Sequence, residues 1–298
     1  MRHSTWLKLE SNVVWHGAYR AYRKLPDGLR APIRALATPH WTLLTALIRA
    51  AARRQVVSGP FKGTTLLLSG VSERLLPCYV LGSAELEIHR AIERLIARNY
   101  GTILNIGAAD GYYAVGFARR SPDSNIVAFE AVPGFHDVIA RTARANGVSD
   151  RIQIAGHCDG DALRAAIAKA KRPILVFADI EGYESQLLDP AAMPELGSVD
   201  LFMETHDAVV PRCTALMIDR LRPTHRVERF VARQRVVQDF PKAFLPVLPK
   251  LFPGLALDAM DERRAGSQEW LYCESLGVKP PSSAGRVAVG ALSFEHQP

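Results

Sequence analysis

Four acidic or basic side chains follow two apolar segments that are typical of buried β-strands. Asp179 and Glu181 come directly after ILVFA, and Glu204 and His206 end the run LFMETH. If both segments are neighbouring parallel strands, their carboxyl ends meet at one edge of the sheet, where ligands bind in open α/β folds. Carboxylates this close together either share a cation or raise each other's proton affinity. His206 beside them has the chemistry of a general base.

A second candidate site is the stretch 102–112, TILNIGAADGY. An apolar β-branched run leads into a turn that carries Gly107 and Gly111, and a helix follows. The small residues permit a close approach of ligand to backbone, and the helix points its free N–H groups at the turn. A dinucleotide-binding GxGxxG pattern would need glycine at 109 and 112, where this chain has Ala109 and Tyr112. The stretch therefore predicts a nucleotide site that is not a dinucleotide site.

Two further acidic residues follow the next predicted strands. Glu130 ends the segment NIVAFE, where its carboxylate can accept hydrogen bonds from the two hydroxyls of a ribose. Asp159 follows the third strand, within reach of a purine amino group. His157, Cys158 and Asp159 are consecutive, and successive side chains rarely point at one ion, so the sequence does not favour a metal site there.

These residues must be positioned by alternating strands and helices. The apolar patterns predict seven strands, and helices between the first five indicate a parallel, doubly wound sheet. The last two strands, which no clear helix separates, predict a terminal antiparallel pair. The predicted strands are 102–106, 125–130, 151–155, 174–179, 200–204, 225–237 and 269–274. The predicted helices between and before them include 85–98, 112–120, 135–145, 161–169, 183–188 and 213–221.

Charge and cysteine usage narrow the class of protein. The 298 residues carry a net charge of +7, and residues 1–60 hold ten Lys and Arg against two acidic residues, a net of +8. The rest of the chain is nearly neutral, so no nucleic-acid partner is expected for the main body. Four cysteines without metal-ligand spacing predict reduced, mostly buried thiols of a cytoplasmic protein. The sequence contains no run of about 18 apolar residues, so no membrane-spanning helix is expected.

The chain divides into three predicted parts. Residues 1–55 form a basic helical arm that packs on the main domain, on a second subunit of a homo-oligomer, or on an anionic membrane surface as a peripheral contact. Residues 56–276 form the main domain, beginning with a hairpin at 56–70 and carrying a Pro-rich insertion at 241–266 that is either a lid or an irregular surface loop. Residues 277–298 form a weakly ordered tail.

The sequence resembles the class I S-adenosylmethionine-dependent methyltransferases, and within them the FkbM family. The resemblance lies in ILNIGAADGYYAVGFA, VAFEAVPGF, FADIEGYESQLL and LFMETHD, over roughly residues 80–207. It implies an α/β, Rossmann-like, seven-stranded methyltransferase sheet, and S-adenosylmethionine as the cofactor. It places the methionine end of the cofactor near Gly107 to Gly111, the ribose on Glu130 and the methyl acceptor near Asp179, Glu181 and His206. The expected cofactor-binding residues are Asn105, Gly107, Ala108, Asp110, Gly111, Tyr112, Glu130, Asp159 and Asp179.

Asn105 departs from the family, which usually has an acidic residue at this position. The expected activity is O-methylation of a hydroxyl on a sugar or another small natural-product acceptor. The hydroxyl needs activation, either by His206 as the base or by a divalent ion held by Asp179 and Glu181 with Glu204. Two other functions remain open: a nicotinamide-dependent oxidoreductase, and a non-catalytic cofactor-binding fold that its basic arm docks on a membrane or partner.

Overall fold

The structure is a computed structural model. It describes residues 39–67, 75–262 and 268–277, together with residues 25, 26 and 29. Most of the predicted N-terminal arm and nearly all of the predicted tail lie outside the described residues.

A single seven-stranded sheet organises the described chain, and its strand order is β3-β2-β1-β4-β5-β7-β6. Neighbouring strands from β3 to β5 are parallel, whereas β7 is antiparallel to both β5 and β6. The predicted Rossmann-like, mostly parallel sheet with terminal antiparallel strands is confirmed. The strands are β1 Thr102–Ile106, β2 Asn125–Phe129, β3 Ile152–Ala155, β4 Ile174–Ala178, β5 Asp200–Thr205, β6 His225–Val231 and β7 Glu269–Ser275.

Helices connect the strands and cover both faces of the sheet. An apolar cluster packs on each face, and the central strands β1 and β4 are buried along their whole length, as expected for parallel strands covered on both sides. The α-helices are α1 Pro39–Ala52, α2 Leu76–Leu81, α3 His89–Ala97, α4 Tyr112–Arg120, α5 Pro133–Ala145, α6 Gly160–Lys169, α7 Glu184–Leu187, α8 Cys213–Leu221, α9 Val247–Leu251 and α10 Pro253–Met260. Short 3₁₀ turns lie at Leu86–Ile88, Ser149–Arg151, Pro194–Ser198 and Val237–Asp239.

Three local predictions were wrong in detail. The hairpin predicted at 56–70 forms, within its described part, only as a short antiparallel pairing of residues 54–56 with 63–66, with one bridge between Gln55 and Thr65 and backbone hydrogen bonds on either side of it. The helix expected from residue 85 starts instead as a 3₁₀ turn, because Glu85 adopts a left-handed conformation with φ of 51°. Strand β6 ends at Val231 rather than at residue 237.

The Pro-rich insertion was expected to be a lid or an irregular loop, and it forms the two helices α9 and α10. Proline at the start of a helix is well tolerated because its missing N–H has no intrahelical partner there. Leu248 and Met260 of the insertion share a third apolar cluster with Leu44 and Ile48 of α1. The insertion therefore packs on the end of the N-terminal segment. Among the described residues, none of the helices combines the length and apolarity that crossing a membrane requires.

All four cysteines are free and buried, which confirms the prediction of unpaired thiols.

A buried carboxylate ties the far end of the sheet together. Asp200, 5% exposed, accepts hydrogen bonds from the Tyr100 hydroxyl at 2.6 Å and from the Ser275 backbone N–H at 2.9 Å, and Nε of Arg98 lies 3.0 Å away.

Replacing Asp200 by alanine is expected to lower the free energy of unfolding by about 3 kcal/mol, since it leaves buried donors without an acceptor. Urea denaturation measures this. An equal loss for Asp137→Asn on the exposed face of α5 would contradict the assignment.

Candidate active site

The turn after β1 is held in a conformation that favours glycine. Gly107 and Gly111 have φ of 79° and 84°, and Ala109 between them has φ of 45°. The N–H groups of Gly107 and Ala108 donate to the carbonyl oxygen of Phe129 at 3.0 and 2.9 Å, so the turn folds over the end of β2. The N–H groups of Ala109 and Gly111 are also bound, to Glu130 and to the carbonyl of Ala108. The donors that remain for an anion or a polar ligand are therefore those of the first turn of α4, which have no acceptor within the helix.

The same turn touches the end of β4. A Cβ atom on Gly107 would lie 1.8 Å from the carbonyl oxygen of Asp179, far inside van der Waals contact. The N–H of Asp179 donates to the carbonyl of Ile106 at 3.0 Å. A ligand seated in the turn therefore lies directly beside the acidic residues that follow β4.

Glu130 lies at the end of β2, where the sequence predicted it, and it faces the turn. One carboxylate oxygen accepts the N–H of Ala109 and the other accepts the N–H of Val132, both at 2.8 Å. The side chain is 8% exposed. Each carboxylate oxygen keeps a further lone pair, so the same group can fix the turn and accept a hydrogen bond from a ligand hydroxyl.

Two other predicted cofactor residues have structural partners as well. Asn105 is buried in β1, its Nδ2 lies 3.5 Å from the carbonyl oxygen of Phe177, and its Oδ1 has no hydrogen-bond partner among the described residues. Asp159 is exposed and caps α6, since its Oδ1 accepts the N–H of Ala162 at 2.8 Å. The contact of Asp159 with a purine stays a prediction.

The side chains at the centre of the turn point into the protein. Ala108 and Tyr112 belong to the apolar core, and Asp110 is 5% exposed. Tyr79 of α2 packs against Tyr112 at a tilt, with ring centroids 4.7 Å apart. Burial raises the pKa of Tyr79 well above its usual value, and the charge of Glu85 raises it further. The sequence analysis did not predict α2, because the helix is too short to show a helical period.

His206 lies at the end of β5 and is the centre of the polar cluster. Its Nε2 is 3.5 Å from Oδ1 of Asp179, 3.5 Å from Oε2 of Glu181 and 3.7 Å from Oε2 of Glu204. The histidine and Glu204 are almost fully buried, whereas the side chain of Glu181 is 84% exposed. The structure thus brings together all four residues that the sequence singled out at the ends of β4 and β5.

Glu184 is a fifth member of the cluster that the sequence analysis did not select. Its side chain is fully buried, and Oε1 lies 3.1 Å from Nδ1 of His206. The same oxygen accepts the N–H of Ile180 at 2.9 Å, which fixes the loop that carries Asp179 and Glu181. The signal was present in the sequence as the third acid of the DIEGYE segment, three residues after Glu181.

The crowding of acidic groups changes their proton affinities. Burial raises the pKa of Asp179 to about 6, although the charge of His206 and a hydrogen bond with Glu204 act in the opposite direction. Burial disfavours the charged form of His206, but the neighbouring Glu184 and Asp179 outweigh it and raise the pKa of the imidazole. The cluster therefore contains groups that can exchange a proton near neutral pH.

Comparison with known proteins gives a short sequence match and remote structural likenesses. The release factor glutamine methyltransferase of Chlorobaculum tepidum is 35% identical over 91 residues, which are 29% of this chain and 30% of that protein. The chain thus spans less than a third of this curated relative. An O-methyltransferase from Bacillus cereus in complex with SAH has a TM-score of 0.40 at 14% identity, covering 79% of this chain and 91% of that one.

TomG from Streptomyces achromogenes, an O-methyltransferase involved in tomaymycin synthesis and solved with SAM, has a TM-score of 0.39 at 16% identity. The likeness covers 78% of this chain and 90% of TomG. No family model matches the chain.

Proposed function

We propose that this protein is an S-adenosylmethionine-dependent methyltransferase that methylates a hydroxyl group of a sugar or another small natural-product acceptor. The observation that carries the proposal is the contact between the turn at Gly107 and the carbonyl of Asp179. Through this contact, a turn of the kind that binds nucleotides lies beside a cluster of side chains that can accept a proton. The 91-residue match to a methyltransferase and the FkbM-like segments support the same class.

In the proposed reaction, the acceptor oxygen forms a bond to the methyl carbon of S-adenosylmethionine. The methyl–sulfur bond breaks, and its electron pair goes to the sulfur, which leaves S-adenosylhomocysteine. The hydroxyl gives up its proton at the cluster around His206. Alignment of oxygen, methyl and sulfur is the main contribution that a protein makes to such an in-line displacement.

The cofactor is proposed to lie along the carboxyl ends of β1 to β3. The first turn of α4 supplies backbone donors, Glu130 receives the ribose hydroxyls, and the exposed Asp159 faces the base. A nicotinamide cofactor is disfavoured by the residues at 109 and 112, where alanine and tyrosine replace the glycines of the dinucleotide pattern.

Calorimetric titration of the full chain tests this assignment. We expect S-adenosylmethionine to bind at one site per chain and NAD not to bind. Glu130→Gln is expected to weaken the cofactor by about tenfold, since it loses a charge-assisted hydrogen bond worth about 1.5–3 kcal/mol.

Glu93→Gln on α3 is the matched control, because its side chain is half-exposed and pairs with Arg120 on the surface. Tight binding of NAD, or equal affinities of the Glu130→Gln and Glu93→Gln variants, would reject the proposed cofactor site.

The remaining expectations about partners and compartment stay predictions. A cytoplasmic location is consistent with four free, buried thiols. Contact of residues 1–55 with a membrane or a second subunit stays a prediction. Helix α1 contributes Leu44 and Ile48 to a buried cluster, while Leu43 and Leu47 on its other side are exposed. A non-catalytic role is disfavoured because four carboxylates gather around His206 near the ends of β4 and β5.

A further inference from the structure

Three side chains at the ends of β4 and β5 converge on one point. Oδ1 of Asp179, Oε2 of Glu181 and Nε2 of His206 all lie within 4.8 Å of one another, and the nitrogen is 3.5 Å from each oxygen. We propose that these three atoms bind one divalent cation of the Mg²⁺ or Mn²⁺ type. Adjacent ligands of such an ion are about 3 Å apart, because its bonds are about 2.1 Å long at right angles. Small side-chain movements would bring the three atoms to this geometry.

The buried histidine supplies an independent indication of a ligand. His206 is 4% exposed, and its Nε2 has no hydrogen-bond partner among the described residues. Oδ1 of Asp179 is likewise buried without a hydrogen-bond partner there, so the hydrogen bond of this carboxyl with Glu204 involves its other oxygen. A buried polar atom without a partner costs about 1–3 kcal/mol. A cation between these two atoms would offset that cost at both of them.

Glu184, which lies behind His206, supports the histidine as a metal ligand. Oε1 of Glu184 lies 3.1 Å from Nδ1, on the opposite side of the ring from Asp179. Metal-ligating histidines commonly place their second ring nitrogen against a carboxylate, which fixes the ring and leaves the other nitrogen's lone pair for the metal. Glu184 is fully buried and is also held by the N–H of Ile180, so the imidazole orientation is built into the fold.

The charge of the cluster favours a cation. Four carboxylates, those of Asp179, Glu181, Glu184 and Glu204, lie within 3.7 Å of a single imidazole. Like charges gathered around one group disfavour one another unless a proton or a positive ion compensates them. The ligand set that the structure brings together contains His206, whereas the sequence analysis had considered Glu204 in its place.

The cation would have an open side. Glu181 is 84% exposed, so the positions opposite the protein ligands face solvent and can take water or an acceptor oxygen. This consequence rests on the proposed methyl transfer. A hydroxyl coordinated to a divalent cation loses its proton to solvent more readily, and the resulting oxygen is the better nucleophile. In this arrangement His206 is a ligand of the cation and not the base.

Titration of Mn²⁺ into chelator-treated, full-length protein, with free Mn²⁺ followed by electron paramagnetic resonance, tests the site without requiring activity. We expect saturable binding of one Mn²⁺ per chain. Asp179→Asn and Glu181→Gln should each weaken it by about tenfold or more. Because Glu181 is largely exposed, its substitution leaves the fold intact. Asp137→Asn, whose side chain is 75% exposed on α5, is the control and should bind as the wild type does.

The outcomes separate this site from the proposed reaction. Absence of saturable Mn²⁺ binding, or equal affinity in the Glu181→Gln variant, overturns the cation site. If methyl transfer then persists in chelator, the proposed function stands with His206 as the base. If Mn²⁺ binds as expected while S-adenosylmethionine does not, the cation site stands and the proposed function fails.

Discussion

Replacing His206 by alanine is expected to lower the rate of methyl transfer by at least about 100-fold, with little change in S-adenosylmethionine affinity. Nε2 of the imidazole lies 3.5 Å from both Asp179 and Glu181. Loss of the ring removes either a ligand of the activating cation or the base. The cofactor turn contacts Asp179 through the backbone carbonyl, which the substitution leaves in place. Single-turnover assays and calorimetry measure the two effects separately.

The same variant distinguishes the two roles of the histidine. If His206 is a ligand, millimolar Mn²⁺ should restore part of the lost rate, because mass action compensates for a weaker site. If His206 is the base, added Mn²⁺ has no such effect. Unchanged turnover in His206→Ala would place the acceptor elsewhere in the molecule, and a large loss in the control Asp137→Asn would invalidate the comparison.

The sequence predicted the elements that position the site because its strands are short apolar runs with polar residues at one end. The segment ILVFA became β4 and LFMET became β5, and both are buried along their full length. The acids that follow them lie at the same sheet edge, as parallel strand order requires. Such a pattern is local, so composition and spacing alone suffice to place Asp179, Glu181, Glu204 and His206.

The features that the sequence analysis did not predict depend on distant contacts. Glu184 became part of the site because its carboxylate reaches back to Ile180 and across to His206, which no spacing in one strand reveals. The insertion at 241–266 contains enough prolines to indicate a loop, yet α9 and α10 form because α1 and α2 offer an apolar surface for them. Packing stabilises short helices that intrinsic propensity alone would not.

Substituting Gly107 by alanine is expected to be the most damaging glycine-to-alanine change among the residues that the structure describes. The residue has φ of 79°, and the added Cβ would meet the carbonyl oxygen of Asp179 at 1.8 Å. The left-handed backbone costs an alanine about 1–3 kcal/mol. The clash adds about 1–3 kcal/mol more, as overpacking does in protein interiors. The turn must also move away from the cluster, and a shift of about 1 Å lowers turnover by about 100-fold.

Gly147→Ala isolates the contribution of the clash. Gly147 has φ of 67°, but no heavy atom lies within 4 Å of the position that its Cβ would take. Both variants incur the backbone cost, so the difference in their unfolding free energies, measured in urea, reports the contact between the turn and Asp179. We expect Gly147→Ala to retain cofactor binding and turnover. Equal stability and equal activity of the two variants would show that the turn is free to move, and the contact that joins the cofactor turn to the cluster would lose its role.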